Sequence, residues 1–213
     1  MDLDDTLINR SSAVADWAAD FSEVRQLSGE AAQILADALR ERATLETFAA
    51  LRAELGLPES AADLWGAYVA GIASRVECPP ETLARLDMLR AAGWSVGVLT
   101  NGATDIQRAK LVATGILDRV DAVCISEEAG ARKPDPRAFR TAAARCGHEL
   151  SRDVWMVGDN LETDIAGASA AGLRSIWITP GFAPVVSNVA PDHVAETLIE
   201  AADFLLALPE GSR

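Results

Sequence analysis

The spacing of apolar residues divides the chain into a helical stretch and a stretch where helices and strands alternate. Between residues 11 and 76, apolar side chains recur at intervals of three and four residues, which is the period of an amphipathic helix. We predict four helices in this stretch. Ser11 and Ser12 are expected to cap the first, and the next two are expected to begin near Glu30 and Thr44.

From residue 77 onward, short apolar and β-branched runs alternate with helical patterns. We predict strands at 94–99, 122–125, 154–157 and 175–178, and helices at 80–92, 104–113, 136–146, 161–171 and 196–208. This alternation indicates an α/β fold, a Rossmann-like parallel sheet covered by helices on both faces. The predicted core comprises residues 1–10 and 77–213, and residues 11–76 are predicted to form an inserted α-helical cap.

The composition is that of a globular protein, with 49% hydrophobic and 24% charged residues in 213. No apolar run approaches the roughly 18 to 20 residues of a membrane span, and the acidic start is unlike a signal peptide. We therefore expect a cytoplasmic protein. The three scattered cysteines are expected to be buried free thiols in a reducing compartment.

The formal net charge of −13 disfavours binding to nucleic-acid polymers or anionic membranes, because both need clustered Lys and Arg. A small anionic substrate is still permitted, since one lysine and a bound cation can reverse the local potential.

The opening stretch carries two candidate catalytic carboxylates, Asp2 and Asp4. A carboxylate can attack phosphorus and form an acyl-phosphate, and a second one two residues away can protonate the leaving group and then activate water. Thr6 follows at a spacing suited to an anion-binding loop. The alternative is a solvated acidic tail or a helix-capping cluster. Asp5 is expected to be exposed and receives no role.

Two further clusters could hold a phosphate. Thr100-Asn101-Gly102 follows a predicted strand and could present donors to an anion. Lys133 is fixed between a glycine-bearing loop and a helix begun by Pro136, and could hold the charges of Asp2 and a phosphate together. Taken singly, a capped turn and a solvated surface lysine are the simpler interpretations.

Asp159 and Asp164 form the fourth cluster, because the first ends a predicted strand and the second lies in the first turns of the next helix. Mg²⁺ prefers oxygen ligands, with few from protein and several from water. The competing interpretation is helix capping together with acids favoured by the helix dipole.

The four clusters together, Asp-x-Asp-x-Thr, Thr-Asn, Lys-Pro and Gly-Asp with a second Asp five residues later, resemble the haloacid dehalogenase-like superfamily of hydrolases. The resemblance covers essentially the whole chain, and the phosphatase branch with phosphoglycolate- and nucleotide-type relatives fits best. It implies a Mg²⁺-dependent phosphatase for a small phosphorylated metabolite, as a monomer or homodimer.

The resemblance also implies residue roles. Asp2 is then the nucleophile and Asp4 the acid/base, while Thr100 binds the phosphoryl group and Lys133 stabilises charge. Mg²⁺ is held by Asp2, the main-chain carbonyl of Asp4 and Asp159, with Asp164 acting directly or through water. Thr6 and Asn101 complete the predicted phosphate-binding set.

Other members of the same fold remain alternatives. A 2-haloacid dehalogenase shares the nucleophile and lysine, but typically lacks an acid two residues later and needs no metal, so Asp4 favours a phosphatase. A phosphomutase would retain Asp4, and a regulatory protein could keep the fold without turnover. The cap residues that select the substrate are not evident from the pattern.

The sequence departs from the family at its start, where relatives place an apolar strand before the nucleophile and only Met1 precedes Asp2 here. We expect this strand to be absent because of a misassigned start, a trimmed chain or divergence, with the first preferred. The expectation is that this form is poorly soluble or far less active than one extended by a strand-forming segment of about five or six residues.

Overall fold

The computed structural model describes residues 1–179, 181 and 189–209, which form α-helices and parallel strands. Among these residues the helices are α1 (Arg10–Val24), α2 (Gly29–Arg40), α3 (Leu45–Leu55), α4 (Ala61–Ala73), α5 (Pro80–Ala91), α6 (Thr104–Ala113), α7 (Ser126–Ala129), α8 (Pro136–Arg145), α9 (Gly167–Ala170) and α10 (Leu198–Ala207). Leu117–Arg119 is a 3₁₀ helix and Leu161–Ala166 a π-helix. The predicted α/β fold class is confirmed.

The strands are β1 (Gly97–Thr100), β2 (Ala122–Ile125), β3 (Trp155–Gly158), β4 (Arg174–Ile178) and β5 (His193–Ala195). β1 and β2 form one parallel pair, and β3, β4 and β5 form a parallel three-stranded sheet in that order. All five strands therefore have their carboxyl ends on the same side within each sheet, where ligands of such folds bind.

The first two residues lie between β1 and β3 and join them through backbone hydrogen bonds. The Met1 nitrogen donates to the Gly97 carbonyl at 2.7 Å, and the Leu99 N–H donates to the Met1 carbonyl at 2.9 Å. On the other side, the Asp2 N–H donates to the Val157 carbonyl at 2.8 Å. This bonding brings Asp2 to the carboxyl ends of both strands.

The chain leaves the core at Asn9, before α1, and returns to it at Glu77, after α4, and these two residues are hydrogen-bonded to each other. The Glu77 N–H donates to the Asn9 side-chain oxygen at 2.7 Å, and the Asn9 N–H to the Glu77 carbonyl at 3.4 Å. The prediction that residues 11–76 form a cap is consistent with this junction and stays a prediction.

An aromatic cluster packs these helices together. Trp17 stacks on Phe21 with ring centroids 4.7 Å apart and meets Tyr68 edge-on at 5.0 Å. Gly71 on α4 faces the same indole, because a Cβ atom there would lie 2.2 Å from the Trp17 ring nitrogen. Close approach of α1 and α4 therefore requires a glycine at this position.

Most predicted elements agree with the structure to within one or two residues, and helix 104–113 agrees at both ends. The first strand begins at Gly97 rather than 94, because Val96 bonds to Asp121 instead of a neighbouring strand: the Val96 N–H donates to the Asp121 carboxylate at 2.8 Å. The predicted helix 161–171 is a π-helix followed by α9. The strand β5 was not predicted.

The prediction that Ser11 and Ser12 cap the first helix is wrong. The helix begins at Arg10, so both serines lie inside it. Instead, the Ser11 N–H donates to the Asp5 carboxylate at 2.7 Å. Asp5 is exposed, as expected, but it satisfies a backbone donor in the first turn of α1.

The three cysteines are free, as predicted, although only Cys124 is fully buried and Cys78 and Cys146 are partly exposed. Within the described ranges, no helix is long and apolar enough to cross a membrane.

Candidate active site

Polar residues at the carboxyl ends of β1 and β3 line a cavity of about 420 Å³. Its lining contains six basic and five acidic residues, in a chain whose formal net charge is −13. A cavity of about 480 Å³ lies toward the amino ends of the same strands, lined by residues such as Val96 and Trp155. The predicted site residues Asp2, Asp4, Thr100, Asn101, Lys133 and Asp159 line the first of these cavities, whereas Thr6 and Asp164 do not.

The centre of the site is a buried ion cluster. Lys133 Nζ lies 2.7 Å from Asp2 Oδ1 and 2.6 Å from Asp164 Oδ1. The exposed fractions of the Lys133 and Asp164 side chains are 2% and 0%, so water screens this cluster very little. One cation thus fixes the carboxylates contributed by the opening segment and by the π-helix after β3.

The buried environment shifts the pKa of Asp2 and that of Lys133. Burial raises the pKa of Asp2 to about 7, although the Lys133 charge acts in the opposite direction. Burial alone would lower the pKa of Lys133, but the Asp2 and Asp164 charges outweigh it and raise that pKa. Burial therefore decides the direction of the pKa shift at Asp2, and the two neighbouring carboxylates decide it at Lys133.

Asp159 completes an acidic group beside this cluster. One carboxylate oxygen from each of Asp2, Asp159 and Asp164 lies within 4.8 Å of the others. Burial, followed by the Asp164 charge, raises the pKa of Asp159 to about 6. Thr6 donates its hydroxyl hydrogen to Asp159 Oδ1 at 3.1 Å, so its observed contact is with this carboxylate.

The donor set fits a magnesium ion. Three carboxylates against one lysine leave an excess of negative charge, and hard oxygen ligands are those that Mg²⁺ prefers. The Asp4 carboxylate is not part of this group of three, and it contacts Lys110 and Gln107. The main-chain carbonyl of Asp4 remains its predicted contribution.

Gly158 permits the close approach of Asp164 to β3. A Cβ atom on Gly158 would lie 2.2 Å from Asp164 Oδ2. The same oxygen accepts a hydrogen bond from the Asn160 N–H at 3.2 Å, and the Trp177 indole N–H donates to the Asp159 carbonyl at 2.8 Å. The backbone at Asp159 and Asn160 is therefore fixed by hydrogen bonds to Trp177 and Asp164.

Asn101 positions Lys133 through a pair of hydrogen bonds. Its side-chain nitrogen donates to the Lys133 carbonyl at 3.0 Å, and its side-chain oxygen accepts from the Lys133 N–H at 2.9 Å. The amide that was predicted to bind phosphate is thus engaged with the backbone of the lysine. Its phosphate-binding role stays a prediction.

The candidate acid/base Asp4 contacts a second buried lysine. Lys110 Nζ on α6 lies 2.8 Å from Asp4 Oδ1 and 3.0 Å from Oδ2. Gln107, one turn earlier on α6, donates to Asp4 Oδ2 at 3.2 Å and also to the Thr100 hydroxyl oxygen. Sequence reasoning missed both Lys110 and Gln107.

The comparisons with known proteins agree with this geometry. A family profile of haloacid dehalogenase-like hydrolases matches residues 1–172. The chain belongs to this family. Phosphoserine phosphatase from Thermus thermophilus is 39% identical over 163 residues, which cover 76% of this chain and 64% of that protein. This chain thus spans a little under two thirds of that relative's length.

Two solved structures share the fold over nearly the whole chain. The HAD-hydrolase YfnB from Bacillus subtilis, bound to magnesium, has a TM-score of 0.76 at 21% identity and covers 97% of this chain and 96% of its own. A 2-haloacid dehalogenase from Pseudomonas syringae pv. Tomato DC3000 has a TM-score of 0.70 at 27% identity and covers 96% and 95%. Because one of these proteins is named a dehalogenase, the shared fold alone does not distinguish phosphate from halide chemistry.

The haloacid dehalogenase-like resemblance inferred from the four clusters is therefore confirmed. The structure also brings the predicted site residues to one cavity or its immediate wall, while the individual roles of those residues stay predictions. A signal for Lys110 was present in the sequence, because the chain has only two lysines among its 19 basic residues. Both lysines lie buried in this site.

Proposed function

We propose that this protein is a Mg²⁺-dependent phosphatase that hydrolyses a small phosphomonoester through an aspartyl-phosphate on Asp2. The observation that carries the proposal is the buried Asp2 carboxylate, held by Lys133 at 2.7 Å at the carboxyl ends of two strands. Asp4 lies two residues further along, in the same cavity.

In the first half-reaction, a carboxylate oxygen of Asp2 attacks phosphorus, and the bond from phosphorus to the ester oxygen breaks. The electron pair goes to the leaving oxygen, which takes a proton from Asp4. In the second half-reaction, water attacks phosphorus and gives its proton to Asp4. The Asp2 carboxylate leaves with the electron pair of the broken bond, and inorganic phosphate is released.

Thr100 and Lys133 would hold the phosphoryl oxygens. The Thr100 hydroxyl oxygen accepts a hydrogen bond from Gln107, so its own hydrogen is available to a phosphoryl oxygen. Lys133 would stabilise charge that spreads over the transferring group.

Mg²⁺ would be held by Asp2, Asp159, Asp164 and the main-chain carbonyl of Asp4, and would neutralise phosphate charge. The excess of three carboxylates over one lysine supports this assignment.

A small anionic substrate is favoured by the mouth of the cavity. Arg42 and Arg132 are exposed side chains in its lining, and exposed guanidinium groups are suited to carboxylate or phosphate. Because the relative from Thermus is named for phosphoserine, phosphoserine belongs in a first substrate panel together with phosphoglycolate and nucleoside monophosphates.

The test is the release of phosphate from p-nitrophenyl phosphate with and without Mg²⁺. We expect turnover that requires the metal and is abolished in Asp2→Asn, while Asp16→Asn, which alters an exposed carboxylate on α1, is unchanged. Metal-independent halide release from a 2-haloacid, without phosphate release, would replace the phosphatase with a dehalogenase.

A further inference from the structure

We propose that Lys110 and Gln107 are positioning residues that hold the Asp4 carboxylate in place as the base of the second half-reaction. The proposal rests on the phosphatase function above. Lys110 Nζ contacts both Asp4 oxygens, at 2.8 and 3.0 Å, and Gln107 donates to one of them at 3.2 Å. Both residues lie on α6, one turn apart.

The direction of each hydrogen bond follows from the chemistry of lysine. An ammonium group has donors and no acceptor, so the Gln107 atom that lies 2.7 Å from Lys110 Nζ is the amide oxygen. The amide NH₂ must then face Asp4 and Thr100, to which it donates. Lys110 thereby fixes the orientation of Gln107, and the two residues together fix that of Asp4.

Burial makes this arrangement rigid. Lys110 and Gln107 are only 2% and 1% exposed. A buried ammonium group needs its partners because it has lost its water. A Cβ atom on Gly102 would lie 2.6 Å from Gln107 Cγ, so the glutamine side chain packs directly against the turn after β1. The Asp4 side chain keeps 20% of its surface exposed, which leaves the carboxylate accessible from the cavity.

The two lysines therefore have separate tasks. Lys133 contacts Asp2 and Asp164, which belong to the nucleophile and metal side of the site. Lys110 contacts Asp4, which accepts the proton when water attacks the phosphorus of the aspartyl-phosphate. Loss of Lys110 should then slow hydrolysis of this intermediate more than its formation, provided that the leaving group needs little help from an acid.

The experiment is rapid-quench kinetics with p-nitrophenyl phosphate and Mg²⁺, comparing wild type with Lys110→Met. The p-nitrophenolate ion is a good leaving group, so the first release reports formation of the aspartyl-phosphate. We expect the steady-state rate of Lys110→Met to fall by about 10- to 100-fold, as for a misplaced catalytic group. The first turnover should change by less than about threefold, giving a burst near one p-nitrophenol per active site.

Gln107→Met provides a second variant if Lys110→Met does not fold, and the same pattern with a smaller fold-change is expected. Arg108→Met removes an exposed cation of α6 that pairs with Glu128, and it should leave both phases unchanged. Equal loss of the burst and the steady state in both positioning variants would indicate a merely structural role and overturn the proposal.

An unchanged steady state in both variants would overturn it as well. These results differ from a failure of the proposed function, in which the wild-type protein itself would release no p-nitrophenol and the positioning role would fall with it.

Discussion

Replacement of Lys133 by methionine is a direct test of the electrostatics of the site. The side chain is 2% exposed and its ammonium group lies between two carboxylates, at 2.7 Å from Asp2 and 2.6 Å from Asp164. Methionine retains much of the volume and removes the charge. Asp2 and Asp164 would then face each other in a poorly solvated pocket with no cation between them.

The expected loss of stability is large. Removing one partner of a buried ion pair typically costs about 3–5 kcal/mol, because the remaining charge is left uncompensated. For a chain of 213 residues, each kcal/mol corresponds to roughly 2–4 °C in Tm. Lys133→Met should therefore lower the Tm of the metal-free protein by roughly 6–20 °C.

The assay is urea unfolding in EDTA, followed by circular dichroism, for wild type, Lys133→Met, Asp164→Asn and the double variant. Adding Asp164→Asn to Lys133→Met removes one of the two uncompensated charges and should recover about 1–3 kcal/mol. A loss below about 1 kcal/mol in Lys133→Met would refute this account of the cluster. So would a double variant that is as unstable as the two single changes added together.

The remaining predictions concern three glycines and pH. Gly158→Ala should displace the Asp164 carboxylate, which a new Cβ would approach to 2.2 Å; we expect weaker Mg²⁺ binding by calorimetry and at least a tenfold loss of phosphatase activity. Gly71→Ala should destabilise the protein by about 1–3 kcal/mol through overpacking, whereas Gly66→Ala on the same helix meets no atom within 4 Å and should stabilise it by about 0.5–1 kcal/mol. Because the folded-state pKa of Asp2 is raised from 3.8 to about 7, metal-free stability should fall as pH rises from about 4 to about 7.

The pH prediction is measured as the difference in Tm between wild type and Asp2→Asn, so that other titrating groups cancel. Mg²⁺ should counter the loss at pH 7.5, since the ion binds the ionised carboxylates. At a concentration about tenfold above its Kd, it should contribute about 1.4 kcal/mol, or roughly 3–6 °C. A wild type that loses Tm relative to Asp2→Asn toward low pH would contradict the assigned direction.

The sequence was sufficient to place the main elements because their signals are local. The helix at Thr104–Ala113 has apolar residues at helical spacing and a glycine beyond its end, and its boundaries were predicted correctly. The start of β1 was misplaced because Trp94-Ser95-Val96 reads as a strand. The side chain of Asp121, 25 residues away in the sequence, accepts a hydrogen bond from the Val96 N–H. A contact between residues so far apart cannot be predicted from the local sequence pattern.

In the candidate site, too, residues with a local sequence signal were predicted and those that depend on distant contacts were not. Asp2 and Asp4 could be found because they lie in a short acidic motif, and Asp159 because it follows a predicted strand. The roles of Asn101 and Gln107 could not, because they depend on which atoms face each other once the strands are assembled. Asn101 lies in a turn whose pattern predicts anion donors, and the pattern gave no sign that its side chain also bonds to the Lys133 backbone.

The scarcity of lysine has a practical consequence for spectroscopy. Protein grown with ¹³C-labelled lysine would give only two ε-carbon resonances by NMR, since every other basic residue besides the two histidines is arginine. One signal would come from beside Asp2, the proposed nucleophile, and the other from beside Asp4, the proposed base. In the proposed mechanism, phosphorylation of Asp2 would change the charge next to Lys133 and leave Asp4, the partner of Lys110, unmodified. The two half-reactions could then be followed separately with no probe beyond the isotope label.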